Sequence, residues 1–186
     1  MAYALNSARS AAERALIHLL RHGQSTWNAD GRWQGHGDPP LTELGAAQAR
    51  EAAARLAAAR IERIVTSDLR RAHETAAIVG TLLGLTPELD ASWRERDIGG
   101  WTGFTREQIA AQWPEEYARF RSHDALARPG GGESDAMLRV RAHEALAALR
   151  TQHAGVCVLV VTHRGIARML APETPLANAQ SCVIPA

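Results

Sequence analysis

The sequence contains no lysine, so its positive charge comes from arginine alone. Its 21 arginines nearly balance 20 acidic residues, and the formal net charge is +1. No overall positive field therefore attracts the protein to nucleic acid or to an anionic membrane, and an anion site must be built from local arginine clusters. Because alanine is abundant, the absence of lysine indicates a biased genome rather than a selected chemistry.

The sequence is also poor in cysteine and in long apolar runs. Its two cysteines, Cys157 and Cys182, are too few for a disulfide framework, and Cys157 lies in an apolar run that predicts a buried strand. No apolar stretch approaches the ~20 residues that cross a bilayer, and residues 1–15 lack the apolar centre of a secretory signal. We therefore expect a cytoplasmic protein with a disordered N-terminal extension over residues 1–15.

What the sequence does contain is an alternation of strand and helix patterns. A chain of 186 residues with 46% hydrophobic residues is long enough to bury a core, and a single domain is expected over residues 16–186. Strand patterns alternate with helical patterns in the order 15–20, 42–59, 61–66, 69–83, 134–152 and 156–161. This spacing predicts an α/β fold in which helices cover both faces of a mostly parallel central sheet.

Basic side chains follow three of the predicted strands. Arg21 and His22 come after the first strand, residues 67–71 after the second, and His163 and Arg164 after the last. The carboxyl ends of strands in an open parallel sheet face one crevice. Two imidazoles and several guanidiniums in one small crevice repel one another unless a multiply charged anion occupies it, and phosphate meets this requirement best.

These residues resemble the histidine phosphatase, or phosphoglycerate-mutase-like, superfamily, whose signature is an Arg-His-Gly turn directly after the first strand. Here that turn is Arg21-His22-Gly23. The resemblance covers residues 16–178 and continues in family order through Asn28, Gln34-Gly35, residues 38–42, Gly45, residues 67–72, Thr75-Ala76, Glu95, Gly99, Gly103, residues 132–134 and Thr162-His163. It implies a three-layer α/β/α sandwich and a phosphatase that needs no metal or other cofactor.

The resemblance also implies roles in phosphoryl transfer. His22 is the implied nucleophile: one neutral ring nitrogen attacks phosphorus, and a backbone carbonyl near Gly23 holds the other. Glu95 is the implied acid toward the leaving alkoxide and later the base toward water, with Asp97 as the weaker match. The non-bridging phosphoryl oxygens are assigned to Arg21, Arg70 and His163.

Further residues are expected to contact the substrate. Asn28 is a candidate donor, although turn formation explains an Asn after a strand equally well. Arg164 stands where many relatives carry glycine, and it either adds a phosphate contact or forms a salt bridge at the pocket rim. The other expected contacts are Ser25, Gln34, Gly35 and Thr162. Trp33, His36, Trp101 and Arg121 are further candidates, although packing explains the tryptophans equally well.

The segment over the pocket favours hydrolysis over phosphate transfer within one substrate. Mutase relatives are generally longer there, whereas this chain has a modest helical segment between Gly103 and Gly132. Its aromatic residues Trp113, Tyr117 and Phe120 are expected in the core. A phosphoglycerate-type mutase and a non-catalytic phosphate-binding module stay as alternatives. The expected partner is a small phosphorylated metabolite, with a homodimer left open and neither nucleic acid nor membrane expected.

Two other chemistries use residues of the same sequence. A cysteine phosphatase would use Cys157 with Arg164, but a nucleophilic thiolate needs a polar anion-binding loop, and residues 158–161 predict a buried strand. A metal site is the last alternative, since imidazole and carboxylate are competent ligands. Its ligands would be His22, His36, Asp38 and His163.

Overall fold

The structure is a computed structural model, and it describes residues 16–185. The expected extension over residues 1–15 lies outside the described residues. The strands are β1 (Leu16–Arg21), β2 (Arg63–Thr66), β3 (Pro87–Leu89), β4 (Val158–Thr162) and β5 (Ser181–Pro185). They form one sheet in the order β3-β2-β4-β1-β5, in which β5 alone runs antiparallel to its neighbour. The predicted α/β fold with a mostly parallel sheet is confirmed.

The helices within residues 16–185 are α1 (Thr26–Ala29), α2 (Glu43–Leu56), α3 (Arg70–Leu83), α4 (Arg106–Gln112), α5 (Pro114–Arg121), α6 (Asp135–Gln152) and α7 (Arg164–Leu170). Thr42, Thr105 and Ser134 cap α2, α4 and α6, each accepting a backbone N–H. Pro114 separates α4 from α5, as expected of a residue without an N–H. In this part of the chain, no helix combines the length and hydropathy needed to cross a bilayer.

Helices cover both faces of the sheet. Val158 and Val160 of β4 pack with α6 and α7, while Leu159 and Val161 pack with α2 and α3 on the opposite face. Successive side chains of a strand point to opposite sides, so a strand buried on both faces becomes a continuous apolar run. The alternation therefore confirms the three-layer sandwich and explains the composition of β4.

The two edges of the sheet are formed by β5 and β3. β5 pairs with β1. β3 was not predicted: it has three residues, begins at Pro87, buries none of them fully, and pairs with β2. Proline is tolerated in an edge strand because its missing N–H is not needed for pairing on the open side.

A third apolar cluster lies beside the carboxyl ends of the strands. It is built on Ile98, Trp101 and Ile109, and the aromatic residues packed around them are Trp33, Phe104, Trp113, Tyr117 and Phe120. Backbone hydrogen bonds from Trp33 to Phe104 (2.9 Å) and from Gly103 to Trp33 (2.8 Å) attach this segment to the loop after α1. Trp113 and Tyr117 belong to the cluster, as expected for core aromatics.

Candidate active site

A cavity of about 400 Å³ opens where β1 and β4 end. The position follows from the topology, because the loops after neighbouring parallel strands meet at one edge of the sheet. Seven of the expected site residues line the cavity, namely Arg21, His22, Asn28, Gln34, Gly35, Glu95 and Arg164. Four others do not line it, namely Ser25, Arg70, Thr162 and His163.

His22 is held in one tautomer. Its ring is buried, and Nδ1 lies 2.7 Å from the carbonyl oxygen of Gly23. Because a carbonyl only accepts, Nδ1 carries the proton and Nε2 is the unprotonated nitrogen. Burial, together with the positive charges of Arg71 and Arg21, lowers the pKa of His22 well below 6.5. The ring is therefore neutral at pH 7, and the expected carbonyl partner is that of Gly23 itself.

The turn that carries His22 is packed closely against two helices. A Cβ on Gly23 would overlap the carbonyl oxygen of Gly45 in α2, so this position requires glycine. The N–H of Gly23 donates to Thr75 Oγ1 (3.1 Å), and that hydroxyl donates to the carbonyl of Arg71 (2.7 Å). The orientation of the histidine therefore depends on α3 as well as on the strand before it.

His163 lies against His22 from the end of β4. The ring centroids are 5.2 Å apart, and Nε2 of His163 is 2.9 Å from Ser67 Oγ. Within residues 16–185, its buried Nδ1 has no hydrogen-bond partner. Burial, then the charge of Arg71, lowers the pKa of His163 well below 6.5. The two histidines form a neutral pair, in which the buried Nδ1 of His163 is the nitrogen without a partner.

The structure places Arg71 at the cavity, and Arg70 outside it. The Arg70 side chain is 55% exposed and pairs with Glu74 at 2.7 Å. Arg71 is fully buried and donates to the carbonyls of Gly37 (2.7 Å) and Gly35 (2.9 Å). Successive residues of a helix point about 100° apart, so only one of the two arginines can face inward. The expected placement of Arg70 beside the phosphate is therefore wrong.

Arg21 and Arg71 keep free donors at the cavity. Arg21 Nη1 donates to the carbonyl of Leu176 at 3.0 Å, but no partner within residues 16–185 reaches the buried Nε of either arginine. Burial lowers the pKa of Arg71 to about 10 and lowers that of Arg21, while Glu95 opposes both shifts. Both arginines therefore stay charged at pH 7, with buried N–H groups that an anion can satisfy.

Glu95 is held by the first turn of α7. Its Oε1 accepts the N–H groups of Arg96 (2.8 Å) and Gly165 (3.0 Å). His36 Nε2 lies 2.8 Å from the Glu95 carbonyl and fixes the loop from the other side. The competing acid Asp97 does not line the cavity, because its carboxylate accepts the N–H of Gly99 at 2.8 Å. Glu95 is thus the carboxylate of the acidic loop that reaches the cavity.

Two amide side chains are oriented by Ser25. Its hydroxyl donates to Gln34 Oε1 (2.7 Å), and its N–H and hydroxyl both approach Asn28 Oδ1 (3.2 Å). Asn178 Nδ2 also donates to Asn28 Oδ1, at 3.2 Å. Because the amide oxygens are engaged here, the NH₂ groups of Asn28 and Gln34 are left to the cavity that both residues line. Ser25 therefore supports the site without lining the cavity.

The remaining candidates separate into lining and supporting residues. Thr162 is buried and donates its hydroxyl to the carbonyl of Trp93 at 2.8 Å, so it fixes the end of β4. Trp33 and Arg121 line the cavity, whereas His36 and Trp101 do not. Phe120, expected in the core, packs on the apolar cluster and also lines the cavity. The other lining residues, to which no substrate contact was assigned from the sequence, are Arg32, Arg71, Arg96, Ile98, Arg106, His123, Asp124, Asp135, Gly165 and Arg168.

The alternative chemistries do not gather their residues at the cavity. Cys157 precedes β4, at the opposite end of the strand from His163, and burial raises the pKa of its thiol. Asp38 accepts the N–H of Arg70 at 2.6 Å. Over residues 16–185, no group of three or more His, Cys, Asp or Glu side chains is arranged to hold a metal ion.

Comparison with known proteins agrees with this geometry. A family model described as the histidine phosphatase superfamily (branch 1) matches residues 17–180. The chain belongs to this superfamily. It is 38% identical over 159 residues to phosphoglycerate mutase-like protein 4 of Arabidopsis thaliana, covering 84% of this chain and 69% of that protein. It is 38% identical over 157 residues to the metal-independent phosphoserine phosphatase of the same plant, covering 83% and 66%.

A solved histidine phosphatase structure has the same fold. The mycobacterial glucosyl-3-phosphoglycerate phosphatase, in complex with VO3, superposes with a TM-score of 0.82 at 33% identity. The match covers 91% of this chain and 90% of that one. The resemblance seen in the motifs is therefore confirmed, and the chain is an enzyme of the histidine phosphatase type.

Proposed function

We propose that the protein hydrolyses phosphate monoesters of a small metabolite through a phosphohistidine on His22, without a metal ion. The observation that carries this proposal is the state of the His22 ring. Nδ1 donates to Gly23, and burial keeps the ring neutral. The lone pair of Nε2 is then available to attack phosphorus, as nucleophilic catalysis by imidazole requires.

In the first step, Nε2 of His22 forms a bond to phosphorus while the ester P–O bond breaks. Glu95, as the carboxylic acid, gives its proton to the leaving alkoxide. In the second step, Glu95 accepts a proton from water as the water oxygen attacks phosphorus and the N–P bond breaks. The products are the alcohol and inorganic phosphate, and His22 and Glu95 return to their starting states.

Charge on the phosphoryl oxygens is balanced by fixed donors. The buried Nε groups of Arg21 and Arg71 lack partners within residues 16–185, and so does Nδ1 of His163 beside the nucleophile. We assign these three groups, with the amide of Asn28, to the non-bridging oxygens. Phosphoryl transfer depends mainly on such positioning and charge stabilisation, so a set of preorganised donors is sufficient.

The experiment measures phosphate release from an aryl phosphate in excess chelator, by the wild-type protein and by His22→Ala. We expect release by the wild type alone, and quenching with alkaline denaturant during turnover should trap phosphate on the protein, because an N–P bond is stable in alkali and hydrolyses in acid. The exposed His143→Ala variant is the matched control. Equal release by wild type and His22→Ala would exclude the phosphohistidine. Phosphate moving between positions of 3-phosphoglycerate without release would favour the mutase alternative.

A further inference from the structure

Ser67 connects the second histidine of the site to the neighbouring strand. It follows β2, and its N–H donates to the carbonyl of Val161 in β4 at 3.1 Å. Because β2 and β4 are parallel neighbours, Ser67 and His163 leave the sheet at the same edge. Both residues are fully buried, and Ser67 Oγ lies 2.9 Å from His163 Nε2. These two side chains therefore share a hydrogen bond that water does not reach.

This hydrogen bond permits two arrangements of its protons. Either Nε2 donates to the serine oxygen, or the Ser67 hydroxyl donates to Nε2 and the ring proton lies on Nδ1. The ring is neutral and has a single N–H, since burial, and then the charge of Arg71, lowers the pKa of His163 well below 6.5. The two arrangements therefore give Nδ1 opposite characters, a lone pair in the first and a donor in the second.

The other contact of the Ser67 hydroxyl distinguishes these arrangements. Its Oγ accepts the N–H of Leu69 at 3.2 Å. If Nε2 of His163 also donated to Oγ, the buried hydroxyl hydrogen would have no acceptor in residues 16–185, and Nδ1 would be a buried lone pair without a donor. If the hydroxyl donates to Nε2, its hydrogen is paired, and Nδ1–H is the one group left for a ligand. Buried polar groups are paired in folded proteins, which favours the second arrangement.

Resting on the proposed function, we infer that Ser67 is a positioning residue that holds the proton of the His163 ring on Nδ1. His163 then offers an N–H to the phosphoryl oxygens, whereas His22, whose Nδ1 donates to Gly23, offers the lone pair of Nε2. The two ring centroids lie 5.2 Å apart. Their outer partners differ in kind, because the Gly23 carbonyl only accepts and the Ser67 hydroxyl donates. This difference makes His22 the nucleophile of the pair and His163 the donor.

The first measurement is the tautomer of His163 in the wild-type protein at pH 7. Long-range proton–nitrogen NMR correlation spectra distinguish a ring with Nδ1–H from a ring with Nε2–H and from an imidazolium. The His163→Asn variant identifies the signals of this ring by their loss. We expect the Nδ1–H form. An Nε2–H ring or an imidazolium at His163 would overturn the inference, whether or not the protein releases phosphate.

The second measurement uses three variants. Ser67→Ala removes the donor to Nε2, and Ser67→Thr restores a hydroxyl. Thr66→Val is the matched control, because it removes a neighbouring buried hydroxyl that donates to the Ser67 carbonyl at 3.1 Å. Each variant is examined by the same NMR spectra, by circular dichroism and by kcat/KM for an aryl phosphate.

We expect the Nε2–H form of His163 to become populated in Ser67→Ala, because the hydroxyl no longer favours a proton on Nδ1. The value of kcat/KM should fall by about tenfold, as when one hydrogen bond to a charged group is lost. Ser67→Thr should recover the Nδ1–H form and most of the activity. Thr66→Val should keep both.

The outcomes separate this inference from the proposed function. Lower activity in Ser67→Ala with an unchanged Nδ1–H ring would mean that the serine acts only through Leu69 at the start of α3, and the inference alone would fail. An equal loss of activity in Thr66→Val would lead to the same conclusion. A wild-type protein that releases no phosphate from the aryl ester would overturn the proposed function, while the spectra would still show whether Ser67 sets the tautomer.

Discussion

The backbone amide of Gly165 donates to both carboxylate oxygens of Glu95, over 3.0 and 3.2 Å. The first turn of α7 therefore holds the candidate acid of a loop that lies far away in sequence. Gly165 is the residue that makes this possible, since a Cβ there would overlap Oε1 of Glu95. The end of β4 thus supplies His163 on one side and the support for Glu95 on the other.

Replacing Gly165 with alanine should disable catalysis while leaving the fold intact. The added methyl group displaces the Glu95 carboxylate, and the loss of acid catalysis should lower kcat by about 100-fold. Alanine is also the better helix former, so the midpoint of thermal unfolding should not fall by more than a few degrees. Gly100→Ala is the control, because the nearest atom to its new Cβ is 3.7 Å away. An unchanged kcat in Gly165→Ala would remove Glu95 from the proposed mechanism.

The two neighbouring arginines of α3 should respond very differently to substitution. Arg71→Gln removes a buried guanidinium from the cavity, and kcat/KM should fall by about 100-fold or more, as when one fixed anion donor is lost. Arg70→Gln breaks an exposed pair with Glu74, which contributes about 0.2–1 kcal/mol, and kcat/KM should change less than twofold. Arg71→Lys keeps the positive charge but loses the planar guanidinium, so it separates the effect of charge from that of donor geometry.

Phosphate release and circular dichroism spectra should be recorded for all three arginine variants. Arg71 also bonds two carbonyls, so a loss of activity counts only where the spectrum is native. A folded Arg71→Gln protein with wild-type kcat/KM, or an Arg70→Gln protein as impaired as Arg71→Gln, would contradict the assignment.

Residue type alone does not distinguish Arg70 from Arg71, because both positions of the motif carry arginine. Ala72, Ala76 and Val79 recur at helical spacing on the buried face of α3, and Arg71 and Thr75 continue that face, so periodicity places Arg71 inward. Helical periodicity can therefore distinguish the two arginines, because it indicates which side chain faces inward. A motif specifies only the residue type at each position.

Some elements of the structure form only through pairing with distant segments of the chain, which a local sequence pattern does not show. β4 was predictable because burial on both faces requires a continuous apolar run. β3 was not, since its three residues form a strand through pairing with β2. Arg32 and Arg106 both line the cavity because a backbone bridge joins Arg32 to Thr105, the residue before Arg106, and local sequence does not show this pairing.

The N-terminal cap of α6 should contribute measurably to stability. Ser134 is buried, and its Oγ accepts the N–H of Met137 at 3.2 Å, at the start of an 18-residue helix. Ser134→Ala leaves this N–H without a partner and should reduce the free energy of unfolding by about 1 kcal/mol. Urea denaturation measures the change, and Thr151→Ala at the exposed end of α6 is the control. Equal midpoints for the two variants would show that the cap is not needed.

Stability should fall as the pH is lowered below about 6.5, because the buried histidines resist protonation. The pKa values of His22 and His163 are lowered well below 6.5, chiefly by burial, and that of His18 is lowered as well. From pH 6.5 downward, the unfolded chain therefore binds protons that the folded chain does not. Each such histidine removes about 1.4 kcal/mol per pH unit until its own pKa in the folded state is reached.

The contribution of His163 to this pH dependence of stability can be isolated by comparing variants. Carboxylates also titrate in acid, but they contribute equally to the wild type and the variant. His163→Asn should therefore lower the slope of unfolding free energy against pH, between pH 6.5 and 5.5, by up to about 1.4 kcal/mol per pH unit, the value for one proton. His143→Asn, at an exposed position of α6, should leave the slope unchanged. Urea denaturation across this range provides both slopes. A His163→Asn slope equal to that of the wild type would mean that His163 accepts a proton in the folded protein, and the neutral pair at the cavity would then be excluded.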